Sequence, residues 1–219
     1  MSADEIFEAI KAGDANRVSA LVAGDSSLVA ARNEQGISVV MWALYNQRRD
    51  LAEVVSAAKP SLDVMEATAM GRIAELGELV AEDPARVGEH SPDGFTPLHL
   101  AAFFGQPAAV KWLLERGADP DAVAKNPTRV QPLHSAVASG VTESVVALVD
   151  GGADVNAAQQ GGWTPLQAAA MHNRLEMVRS LLAAGADVAQ QADDGKTAIG
   201  RAEVGGHDEM VKVLEAGVI

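Results

Sequence analysis

Few side chains in this sequence are of a type and spacing that could do chemistry. It has no cysteine, which removes thiolate nucleophiles, disulfides and thiolate-bound metals. Histidine is the remaining candidate for acid–base work. His99 and His134 sit in matching segments, Thr96-Pro97-Leu98-His99 and Gln131-Pro132-Leu133-His134. His172 belongs to no such segment. A general base needs a nucleophile within reach and a group that orients it. Ser139 and Arg174 are the only plausible neighbours for His172, too thin a constellation for catalysis. Gly195-Lys196-Thr197 ends like a phosphate-binding loop, but Gln190 stands where that motif needs its first glycine. It reads as a hairpin tip followed by a helix start. Asp119 with Asp121, and Asp193 with Asp194, are acidic pairs on turns. With no third ligand close in sequence they read as solvated turn caps, not metal ligands. HExxH, GxSxG and EF-hand patterns are absent. No catalytic residue, metal or cofactor is expected.

The elements that position these residues follow from a repeat. From Asp93 to Asp121 the chain runs turn, short helix, Gly105 reversal, second helix, turn. Proline just inside a helix start and glycine just past its end supply the punctuation. Such helices are too short to be stable alone. Copies of the unit supply the neighbours. Pro97, Pro132, Pro165 and Ala198 follow at steps of 35, 33 and 33 residues, and Gly-Ala-Asp recurs at Gly117, Gly152 and Gly185. A fixed period of this size means stacked repeats.

The segment Thr96-Pro97-Leu98-His99-Leu100-Ala101 resembles the ankyrin signature in full, and the next two copies depart from it at Gln131 and Gln167. The resemblance is firm from Pro92 onward and loose before it. It implies an all-α repeat solenoid of stacked helix-turn-helix pairs with β-hairpin or turn fingers along one edge. We count seven units: a cap over 1–33, two divergent repeats over 34–91, three well-matched repeats over 92–191 and a closing cap over 192–219. The opening helix pair is expected from Ser2 to Ala23, with Ile6, Phe7, Ala9 and Ile10 on its apolar face. Gln47 and Asn173 replace glycine at two reversals. In the third unit Asp63 and Glu66 are placed where other units have Pro and Leu, and Lys59-Pro60-Ser61 replaces a finger. That gap reads either as a drifted spacer or as a feature that shapes the surface for one partner. Ala124-Lys125 is a two-residue insertion that lengthens one finger. Arg201 and Glu203 give the last unit the polar character of a cap facing water.

The resemblance also implies that His99 and His134 tie neighbouring backbone groups together, and that the usual activity is binding other proteins. Its contact positions are finger tips and the exposed end of each first helix. Carried over, these are the tips Ile37, Phe95, Val130, Trp163 and Lys196, and the helix positions Tyr45, Met70, Phe103, Phe104, Ala138, Ser139, Met171 and His172. Adjacent helix residues point about 100° apart, so Phe103 and Phe104 cannot both face the core. Layers lie about 10 Å apart. A pocket is therefore expected over Ala138 and Ser139, walled by Phe103 and Phe104 on one side and Trp163, Met171 and His172 on the other. Replacing Phe104 or Trp163 with alanine should leave stability nearly unchanged. Its expected occupant is a partner's side chain; the alternative is a small ligand or substrate beside His172.

Composition narrows the partner. The formal charge of −13 argues against nucleic acid and anionic membranes and favours a protein with a basic or neutral docking surface. The opening MSADEIFEAIKAGD is acidic and amphipathic, unlike a secretory leader. A cytoplasmic monomer is expected, and the Ala- and Gly-rich composition suggests a bacterial source.

Overall fold

The computed structural model describes residues 3–217, so the expected helix start at Ser2 lies outside the described residues, as do Val218 and Ile219. Fourteen α-helices form seven antiparallel pairs among them. The pairs are α1 (Ala3–Ala12) with α2 (Ala15–Gly24), α3 (Val39–Tyr45) with α4 (Arg49–Ala57), α5 (Val64–Met70) with α6 (Ile73–Glu82), and α7 (Pro97–Phe103) with α8 (Pro107–Leu114). They continue with α9 (Pro132–Ser139) and α10 (Thr142–Asp150), α11 (Pro165–Met171) and α12 (Leu175–Ala183), and α13 (Ala198–Val204) and α14 (Asp208–Ala216). First helices pack on first helices from α1 through α13. Second helices form the outer row, which loosens between α4 and α6. One apolar seam runs from Ile6 to Leu214. The fold is an all-α repeat solenoid.

Sequence explains the local geometry. Thr96 and Thr164 cap their helices, and Pro97, Pro132 and Pro165 occupy first helical positions. The reversals need a left-handed residue, which Gly71 supplies at φ 73°, while Gln47 and Asn173 adopt φ 60° and 54° there. Asp25 and Asp83 open matching 3-10 connectors, each carboxylate accepting a backbone N–H two residues on.

The structure changes three expectations. Of the hairpin and turn forms, the fingers take the turn form, with no strand among the described residues. Later fingers close with one cross-turn bond, such as Ser91 N to Phe95 O at 2.8 Å and Gln159 N to Trp163 O at 2.9 Å, while the first has two, Asn33 N to Ile37 O and Val39 N to Ala31 O, and forms an isolated antiparallel bridge between Arg32 and Ser38. Neighbouring fingers are stitched by backbone bonds, Lys125 N to Gly94 O and Asp193 N to Gly161 O. The inserted pair lengthens its finger, which closes between Ala124 N and Val130 O.

The second correction concerns register. Asp63 and Glu66 do not replace Pro and Leu. They form a capping box and hold the places of Thr96 and His99. Helices α5 and α7 have seven residues each, but the reversal glycine follows the cap one residue sooner in unit 3, which displaced an alignment made on Gly71. Glu66 is fully buried and paired with Lys59 at 2.6 Å. Third, Arg201 does not face water. It is buried, stacks on the Trp163 ring at 3.7 Å and pairs with Asp194 at 2.8 Å.

Candidate docking cleft

The walls of the site are set by a row of side chains that each reach from one unit to the next finger. His99 Nδ1 accepts from Thr96, which assigns the proton to Nε2, and Nε2 donates to the Val130 carbonyl at 3.0 Å. His134 donates likewise to the Trp163 carbonyl at 3.2 Å. Gln167 does the same work through its amide, donating to the carbonyls of Gln190 and Lys196. Burial holds the His99 imidazole down to about 4, so it is neutral near pH 7. Burial also lowers His134, while its bond to Trp163 works the other way. These rings are structural ties; both nitrogens of His99 are committed. In unit 3 a carboxylate cannot donate to a carbonyl. There Glu66 holds Lys59 instead, and the Phe95 carbonyl accepts from Ser91.

Above the inner helices lies a cleft of about 530 Å³. It brings together Phe95, Phe103, Val130, Ala138, Trp163, Met171 and His172 of the expected set. Phe103 and Met171 are each 45% exposed and face it from opposite sides. Its lining contains no Asp, Glu, Lys or Arg. Thr128, Gln159 and Gln160 of the fingers also line it, and sequence reasoning missed them. The signal available was their place beside the tips of the two fingers over α9.

Six expected residues lie elsewhere. Met70 is 3% exposed and Ile37 is buried as well, although Met70 holds the place in α5 that exposed Phe103 holds in α7. Phe104 turns away from the cleft and packs on Tyr45 at 5.5 Å between ring centroids. With Tyr45 and Ser139 it lines a second groove of about 390 Å³ on the other side of Phe103. Ser139 is not a free nucleophile: its hydroxyl donates to Ala136 O at 2.7 Å and accepts from Val141 N. Lys196 is exposed on the last finger, 3.9 Å from Asp194. Tyr45 donates to the Asp93 carboxylate at 2.6 Å; burial first and this bond second push its phenol far up. Arg174 lies against the Gly140 reversal. His172 is exposed and gains no orienting group from these neighbours.

Comparison with known proteins agrees with this architecture. A model of three ankyrin repeat copies matches residues 133–218, and a single ankyrin repeat model matches residues 93–125. Together they cover more than half of the sequence. The chain belongs to the ankyrin repeat family. It is also similar to the human DNA-binding protein RFXANK, 35% identical over 79 residues. That match takes in 36% of this ankyrin chain and 30% of the human protein, so the relative's length is covered only in small part. Among the described residues no helix is long and apolar enough to cross a membrane, and no three His, Asp or Glu side chains converge as metal ligands would.

Proposed function

We propose that this ankyrin chain is a non-catalytic protein-interaction module whose cleft over Ala138 receives an apolar side chain of a partner protein. The observation that carries the reading is the pairing of exposed Phe103 and Met171 across an uncharged cleft. Exposed large apolar side chains around a concave surface are typical binding anchors. Ser139 is occupied by backbone groups and His172 has no partner to orient it, which favours binding over catalysis. The relative is named as a DNA-binding protein, but a chain at −13 opposes phosphate contacts. We therefore assign a protein partner, with a basic or neutral surface around its anchor. A monomer in the cytoplasm of a bacterium is the setting this reading assumes, on composition.

The test is site-specific photo-crosslinking in extract of the source organism. A photoreactive residue at Met171 should give a discrete protein adduct, and one at Glu78 on outer helix α6 should not. The same adducts from both positions, or none from Met171, would overturn the proposal. A second reading rests on volume, since about 530 Å³ falls within the range of small-ligand pockets. A saturable thermal shift with a metabolite, lost in Phe103→Ala, would move the assignment to that reading.

A further inference from the structure

Beside the cleft is a smaller hole of about 60 Å³, lined by Tyr45, Phe95, His99, Leu100, Phe103 and Ser135. It shares Phe95, Phe103 and Ser135 with the cleft, so the two adjoin. One water needs roughly 10–15 Å³ measured this way, so the hole admits a group of a few heavy atoms. Three of its six lining residues are Tyr or Phe rings, and a fourth is the neutral His99 imidazole. The faces of Tyr and Phe rings attract cations. Asp93 is not part of the lining, but its carboxylate accepts the Tyr45 hydroxyl at 2.6 Å, which pushes electron density into that ring.

The lining also selects among cations. His99 has both nitrogens engaged and the Tyr45 hydroxyl is committed to Asp93. A primary ammonium would bring three N–H donors to a wall where the Ser135 hydroxyl is the uncommitted side-chain acceptor, whereas a fully alkylated ammonium brings none. We propose that this aromatic box receives a multiply alkylated ammonium group, carried on a side chain of the partner segment that lies in the adjoining cleft. The proposal deepens the protein-binding reading and rests on it for the source of the cation. The acidic net charge of the chain favours the same occupant.

The chain has one tyrosine, so ring-labelled Tyr45 is a unique NMR reporter. The titrants are short glycine-flanked peptides carrying trimethyllysine, unmodified lysine, or the uncharged carbon isostere of trimethyllysine, with free choline as a fourth arm. The trimethyllysine peptide should shift the Tyr45 signals saturably. The isostere should bind about 2- to 30-fold more weakly, the span expected for a cation over rings. Lysine should be weaker than trimethyllysine, and Phe103→Ala should lose the shift while keeping the native circular-dichroism melt. Tyr45→Phe, read through labelled phenylalanine, should weaken binding by loosening Asp93. Equal binding of the isostere, equal binding of lysine, or no shift at all would each overturn the proposal. Choline binding tighter than the peptide would overturn its side-chain source. Crosslinking at Met171 reports on the cleft independently, so the failure of either reading is visible without the other.

Discussion

Lysine 59 and glutamate 66 offer the sharpest test of how the divergent third unit holds together. Glu66 is 0% exposed and Lys59 10%, and both carboxylate oxygens accept from Nζ at 2.6 and 2.7 Å. The carboxylate also accepts from Asp63 N at 3.0 Å, closing the capping box of α5. Lys59→Met removes the cation and leaves a buried carboxylate with one backbone N–H. Breaking a buried pair from one side costs about 3–5 kcal/mol. Replacing both partners should recover most of this. Glutamine at 66 keeps the acceptor for Asp63 N and carries no charge, as Gln167 does at the same place in unit 6. Lys59→Met/Glu66→Gln should therefore lie within about 1 kcal/mol of the parent. Urea unfolding of the two single variants and the double closes the cycle, with hydrogen exchange in α5 and α6 as the local readout. A loss under about 1 kcal/mol for Lys59→Met, the level of a solvated surface pair, would refute the reasoning. So would a double variant no more stable than Lys59→Met alone.

Four further outcomes are expected. His99 sits at about 4 in the folded chain against 6.5 free, so the unfolded chain takes up the proton first and stability falls as pH drops from 6.5 toward 4. The loss reaches about 3 kcal/mol. His99→Gln should flatten that slope in urea midpoints measured between pH 6.5 and 5. Gln47→Gly relieves a left-handed conformation and should raise stability by about 0.5–1 kcal/mol, seen as a higher melting temperature. Met171→Ala should cost under about 1 kcal/mol, whereas Trp163→Ala should cost about 2 kcal/mol or more because it strips the stacking partner from buried Arg201. Grafting a finger copied from residues 186–196 in place of Pro60–Leu62 should separate Tyr45 from Asp93 and abolish the Tyr45 ring response. Crosslinking from Met171 should persist.

How far the sequence reveals the fold depends on which feature carries the information. From Pro92 onward the Pro, His and Gly positions recur in phase, so helix pairs and reversals can be read directly, as can the placing of Phe103 and Trp163 on opposite sides of Ala138. In unit 3 the same method fails, because alignment on Gly71 hides a reversal glycine that comes one residue sooner after the cap. The better signal was chemical: Asp63 and Glu66 have the spacing of a capping box, and taking them as one restores the register. The packing of Trp163 on Arg201 and of Phe104 on Tyr45 was hidden for a different reason. Their packing partners, Arg201 and Tyr45, come from other units, and no periodicity within one repeat announces a contact between repeats. Arg201 in particular looks like a solvent-facing cap residue until the Trp163 ring is placed beside it.

The absent finger of unit 3 is what joins the two halves of the candidate site. In an uninterrupted stack a finger would stand between that of unit 2 and that of unit 4. Here Gly36 of one lies so close to Pro92 of the other that a Cβ on Gly36 would sit 3.1 Å from the proline side chain. Arg32 bridges the gap below by pairing with Asp63 at 2.7 Å. The pinch lets Tyr45 on α3 pass over α5, where Met70 is buried in the seam, and reach Phe104 and Asp93 of unit 4. Phe104 is thereby drawn toward Tyr45, and Phe103 is left as a ridge between the cleft and the second groove, with the aromatic box at its base. A deletion that a solenoid tolerates easily on its loop side thus changes which units touch, and it brings Tyr45 and the finger of unit 4 together in a way that three regular repeats could not.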